Sequence, residues 1–121
     1  MLEKKDRLKI DKDCIVTRKW LLEWVRRIVL PTCSFYGVTV LWMRYCPSER
    51  KGLHFYIKID PPIGAMLLLK LQFLLGDDAQ RVSLNRARVR AGFKDWNKLF
   101  EKEGTKLRTL YRSPVKADPR M

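Results

Sequence analysis

The chain has one histidine and three cysteines, Cys14, Cys33 and Cys46, and no two cysteines stand as Cys-x-x-Cys. A structural zinc site takes about four Cys or His ligands at short spacings, so a zinc finger or ribbon is not expected. An odd set of widely spaced cysteines does not make the disulfide framework of a small secreted domain either. Long apolar runs are also missing. The longest charge-free run, Ile28 to Met43, is broken by Pro31, whereas a membrane-crossing helix needs roughly 20 apolar residues. The N-terminal stretch MLEKKDRLKIDKD is charged throughout and has no secretory apolar segment. The expectation is a protein of the cytoplasm of its host cell, without a membrane association. Acidic residues are scarce as well: 13 Asp and Glu face 26 Lys and Arg, a net charge of +13.

What is present is a core. Hydrophobic residues make up 46% of 121 residues, too many for wholesale disorder and enough for one domain. A folded chain this basic repels itself unless it meets a polyanion, so nucleic acid or an acidic membrane surface leads the classes of partner. The charge is uneven. Arg81 to Arg112 contains ten basic and three acidic residues, while the first 30 residues mix nine basic with five acidic ones.

The periodicities predict a βαββαβ order with additional helices before the last strand. RLKI (7–10) alternates as a short strand. In TRKWLLEWVRRIVL, Leu21, Trp24, Val25 and Ile28 share one helical face, Thr17 is an N-cap and Pro31 is expected to end the helix. GVTVLWMRYC (37–46) and LHFYIKID (53–60) form a hairpin around the turn PSERKG. The second strand places Leu53, Phe55, Ile57 and Ile59 on one face and His54, Tyr56, Lys58 and Asp60 on the other. Asp60 and Pro61 are expected to open an apolar helix ending at Gly76, buried on most sides. Asp77 or Asp78 caps an arginine-rich helix closed by Gly92. Asp95 caps a last helix, WNKLFEKEG, and KLRTLYR (106–112) forms the final strand. Residues 113–121 make a loose tail to a single domain spanning 1–121. This is an α+β chain with a ferredoxin-like or RRM-like core.

Several motifs carry chemistry and each has a bland reading. Nucleases of rolling-circle replication hold a metal on a His-hydrophobic-His strand and place a tyrosine nucleophile on a following helix. Here Tyr56 stands where the second histidine would be, and the helix that follows has no tyrosine, so no metal and no catalytic residue is assigned. His54 is then a surface histidine. Tyr56 beside Lys58 is a candidate for base stacking if its sheet face is open. Asp77 and Asp78 are explained by capping. Phe93, Trp96 and Phe100 anchor the last helix to the core.

The stretch RVSLNRARVRAG (81–92) holds four arginines and no acid. On a helix Arg81 and Arg88 project together, and Arg86 and Arg90 lie close, so phosphates would relieve their mutual repulsion. Phosphate contacts are expected from Arg81, Arg86, Arg88, Arg90 and Lys94, with Lys98, Lys102, Arg108 and Arg112 widening the patch. An apolar helix, the turn GDD and an arginine-rich helix also fit a helix-turn-helix, in which Gln80, Arg81, Ser83, Asn85 and Arg88 would read base edges.

In LQFLLGDD, the spaced arginines around LNRARV and WNKLF, within residues 54–100, the chain resembles small uncharacterised proteins of archaeal viruses, plasmids and their integrated copies. The resemblance implies an archaeal mobile-element origin and carries no catalytic residue across. It favours a DNA-related role, because such elements encode many small DNA-binding proteins. The reading is therefore a non-catalytic nucleic-acid-binding protein, with DNA the expected partner, no cofactor, and a homodimer possible. The alternatives are an assembly protein working through protein contacts, and a helix-turn-helix regulator.

Overall fold

Strict alternation over Leu53–Ile59 sets one strand at the centre of the molecule and the rest of the chain builds around it. The computed structural model describes residues 3–13, 16–48, 52–99 and 105–114. They form strand β1 (Lys5–Lys12), helix α1 (Arg18–Trp24), a π turn (Val25–Val29), helix α2 (Leu30–Phe35), strands β2 (Thr39–Pro47) and β3 (Leu53–Ile63), helices α3 (Ala65–Leu74) and α4 (Ala79–Arg90), and strand β4 (Arg108–Arg112). Part of the predicted PSERKG turn, part of the predicted last helix and most of the tail lie outside the described residues.

The fold is α+β with a four-stranded antiparallel sheet in the order β1-β3-β2-β4. Phe55, Ile57 and Ile59 of β3 are fully buried and Leu53 is half-buried. They join Leu8 and Ile10 of β1, Val40 and Met43 of β2, Leu21, Trp24 and Val25 of the first helical segment, and Leu68 and Leu71 of α3 in one core. Trp24 packs on Phe55 with ring centroids 4.8 Å apart. The first three helices therefore cover one face of the sheet. Each fully buried Leu, Ile or Phe contributes about 1.5–3 kcal/mol through removal of apolar surface from water.

Four local expectations are corrected. Pro31 does not end the helix: the backbone N–H of Leu30 bonds to the carbonyl of Val25, five residues back, and this widened turn admits the proline into the first turn of α2. Asp60 and Pro61 do not open α3. A residue before proline is disfavoured in the helical region, and Pro61 is followed by Pro62, so the chain stays extended as far as Ile63, which pairs with Lys5. The helix starts after Gly64 instead. α3 is also less enclosed than its composition suggests, since Met66, Phe73 and Leu74 are exposed. Residues 96–99 are not helical; Trp96 is nonetheless wholly buried in the core, while Phe93 is exposed.

β1, α1 and β2, with β3 inserted between the two parallel strands, make the expected split βαβ unit. The fourth strand departs from the ferredoxin-like order, where it lies beside the first strand. Here it pairs with β2 on the opposite edge. The physical reason is that the outer edge of β1 is already satisfied. Its Lys9 and Asp11 N–H groups donate to Gln72 Oε1 and Asp77 Oδ1, each at 2.9 Å. The Lys9 carbonyl accepts from Arg81 Nη1 at 2.8 Å and the Asp11 carbonyl from the Asp78 N–H at 3.1 Å. Side chains of α3, α4 and the turn between them, with the Asp78 N–H, thus occupy hydrogen-bonding positions along Lys9 to Asp11 that another strand would need.

Candidate functional site

The arginine row divides on folding. Asp78 caps α4 by accepting the Arg81 N–H at 3.0 Å, which fixes the helix phase and turns Arg81 inward. Its guanidinium donates to Asp77 Oδ2 at 2.6 Å, Lys9 O at 2.8 Å, Asn97 Oδ1 at 2.9 Å and Lys98 O at 3.1 Å. Asn97 also donates to Gln72 Oε1 at 2.8 Å. Asn85 is buried, and Arg88 donates to its side-chain oxygen at 2.8 Å. Burial pushes the Asp77 carboxyl above the ordinary carboxylate range, opposed by Arg81 and by the N–H groups of Asp11 and Asp78. Gln72, Asp77, Arg81, Asn85 and Asn97 are thus one polar network that fastens α3, α4 and the 93–99 segment to the edge of β1.

Arg81 is consequently a fastening residue, with its side chain only 10% exposed. Arg88 is half-buried beside Asn85. Arg86, Arg90, Lys94 and Lys98 are exposed near the β1 end of the molecule. Arg108 and Arg112 are exposed on β4, at the opposite edge, three strand spacings or roughly 14 Å from β1. Lys102 lies outside the described residues. The predicted patch is therefore not continuous along Arg81 to Arg112. Of the five residues a helix-turn-helix would use, Arg81 and Asn85 face inward and Arg88 is held by Asn85; Gln80 and Ser83 are exposed.

A different cationic cluster forms on the sheet face opposite the core. Register places Arg7, Lys58, Trp42 and Arg112 in one row across β1, β3, β2 and β4, and Lys9, Tyr56, Arg44 and Thr109 in the next. The guanidinium carbons of Arg7 and Arg44 stand over the Trp42 ring, 5.1 and 4.4 Å from its centroid. Trp42, Arg44, Tyr56 and Lys58 are half-buried, and Arg7 and Arg112 are exposed. Lys58 is neutralised by Asp6, whose carboxyl that hydrogen bond holds below its ordinary value. Lys9 lies close enough to feel Asp95, and burial lowers its ammonium pKa. Neither Arg7 nor Arg44 has a carboxylate within ion-pair distance among the described residues.

Farther along the same face, His54 is buried rather than on the surface, with Nε2 3.5 Å from Asp11 Oδ1. Burial raises the Asp11 carboxyl pKa, opposed first by His54. Among the described residues no three His, Cys, Asp or Glu side chains come together as metal ligands. Burial pushes the Cys33 thiol up to about 11, which suits a packing residue rather than a nucleophile. Sequence reasoning reached Tyr56 but missed Arg7, Trp42 and Arg44. Alternation within β2 was the available signal for Trp42 and Arg44, since Met43 between them and Tyr45 after them are buried.

The described part is thus an α+β unit with a basic, aromatic sheet face. No protein-family model matches the chain, and no solved structure matches it. It is similar to "Uncharacterized protein 30" of Sulfolobus islandicus filamentous virus (isolate Iceland/Hveragerdi), 36% identical over 91 residues, which is 73% of this chain and 33% of that protein. The chain is therefore related to a protein of an archaeal virus and spans about a third of that relative's length. No helix among the described residues is long and apolar enough to cross a membrane.

Proposed function

We propose that the chain is a non-catalytic nucleic-acid-binding protein of an archaeal mobile element, with DNA its natural partner, and that it takes the phosphate backbone on the sheet face opposite its core. The observation that carries this reading is the pair Arg7 and Arg44, converging on Trp42 without a carboxylate partner among the described residues, in a chain of net charge +13. Two like charges near one ring repel each other; a phosphate placed between them relieves that repulsion and accepts bidentate hydrogen bonds from either fork. Arg112 extends this face. Arg86, Arg90 and Lys94 form a separate basic patch that steers a polyanion toward the protein without reading it.

Binding of labelled oligonucleotides as a function of salt tests the reading. Each phosphate contact releases about 0.7–0.9 counterion, so Arg7→Ala combined with Arg44→Ala flattens the log–log salt slope by roughly 1.4–1.8 if each makes one contact. Absence of binding to both duplex and single strands at about 50 mM salt, where non-specific phosphate binding is readily seen, refutes it.

A second reading, an assembly protein acting through protein contacts, is favoured by one observation. Phe35, Met66 and Phe73 are 81%, 56% and 56% exposed. Met66 and Phe73 line a shallow apolar groove on α3 with Leu67, Leu69, Lys70 and Arg86. If this face carries the function, Met66→Gln with Phe73→Gln abolishes partner capture and leaves oligonucleotide binding unchanged.

A further inference from the structure

Resting on the nucleic-acid reading above, we infer that the sheet face selects single-stranded nucleic acid over duplex, with Trp42 and its two guanidiniums as the base-stacking platform. Three observations lead there. First, two cations of this face stand over an aromatic ring: Arg7 and Arg44 both lie within 5.1 Å of the Trp42 centroid. A ring and two planar guanidiniums present π surfaces, which attract the faces of bases. In a duplex those faces are buried in the stack and only edges and phosphates are accessible; in a single strand they are free.

Second, the face has the breadth a strand needs. Arg7 on β1, Trp42 on β2 and Arg112 on β4 stand in one register row that crosses all four strands, and Arg44 stands in the adjacent row. A backbone tracking across that row meets arginines at both ends with an aromatic between them. This is the combination of cationic groove and stacking side chain that holds unpaired strands without sequence preference.

Third, the element best shaped for a duplex groove has three of its five reading residues engaged elsewhere, leaving only Gln80 and Ser83 exposed. On α4, Arg81 is bonded to Asp77, Lys9, Asn97 and Lys98, and Asn85 is buried with Arg88 bonded to it. Exposed Arg86 and Arg90 supply charge, which single strands and duplex share. Discrimination between them then belongs to Trp42.

The test measures fluorescence anisotropy of end-labelled oligonucleotides of about 15 nucleotides, near the upper end of single-domain site sizes. The probes are oligo-dT, oligo-rU and a DNA duplex of the same length, at one salt concentration. Oligo-dT or oligo-rU binds at least about tenfold tighter than duplex, and the ratio of the two tells DNA from RNA. Trp42→Ala weakens single-strand binding by roughly 5- to 150-fold, the range for one lost base stack, and shifts duplex binding by less than about twofold. Trp42→Phe retains most of the affinity, because a smaller ring still stacks. Indole emission of the unmodified protein is quenched by oligo-dT or oligo-rU, and the quench is largely lost in Trp42→Phe; this readout serves if Trp42→Ala does not fold. Equal or tighter duplex binding, or single-strand affinity indifferent to Trp42, overturns the inference and leaves the nucleic-acid reading in place. Failure of all three probes to bind at about 50 mM salt overturns both.

Discussion

Changing Arg81 to alanine is expected to be the most destabilising substitution among the arginines of α4. The guanidinium serves four acceptors at 2.6 to 3.1 Å, two of them backbone carbonyls. Its loss leaves the Asp77 carboxylate, whose side chain has no exposed surface, with only the N–H groups of Asp11 and Asp78 and a long contact from Gln72. It also strips the Lys9 carbonyl on the edge of β1 of its donor. Removing one partner of a buried ion pair costs about 3–5 kcal/mol, a large share of a total stability on the order of 5–15 kcal/mol. Urea unfolding at neutral pH, followed by circular dichroism, should show that loss as a lower midpoint with an unchanged slope. Arg81→Lys restores the charge but not the planar fork, so most of the loss persists. Arg86→Ala, on the exposed side of the same helix, stays within about 0.5 kcal/mol of the parent. If Arg81→Ala costs less than about 1 kcal/mol, no more than twice its exposed neighbour, the network does not fasten the edge of β1 and the order of the sheet has another cause.

Trp96 is fully buried, and its indole N–H has no acceptor among the described residues. Trp96→Phe is expected within about 1 kcal/mol of the parent, because the lost contacts are offset by removal of an orphaned donor that costs about 1–3 kcal/mol, whereas Trp96→Ala loses about 3–5 kcal/mol; equal losses in thermal melts would contradict this. Asp6 bonded to Lys58 has a folded pKa below its ordinary 3.8, so its contribution is present above that value and disappears as the pH falls through the folded one. Asp6→Asn should therefore show a shallower decline in stability than the parent between pH ~5 and pH ~2, by under about 1 kcal/mol because both groups are partly exposed. A steeper decline would reverse the sign.

Local chemistry was legible in the chain wherever it acts over a few residues. Alternation in 53–59 set which side chains of β3 enter the core, because successive side chains of a strand point to opposite faces. Asp78 capped α4, as a short acceptor before a helix does. The basic excess was apparent as composition, and the likeness to archaeal viral proteins as pattern. Two proline effects escaped single-residue rules: a widened turn admitted Pro31, and two consecutive prolines kept residues 60–63 extended. The rest depended on contacts between residues far apart in the chain. Lys9 and Asp11 meet Gln72, Asp77 and Arg81 only because α3 and α4 pack along β1. That meeting turned the first arginine of the row inward and left the fourth strand to pair with β2. Arg7 reaches Trp42 only because β3 lies between β1 and β2 and aligns both with Lys58. Sequence spacing carries no information on that alignment; strand pairing creates it.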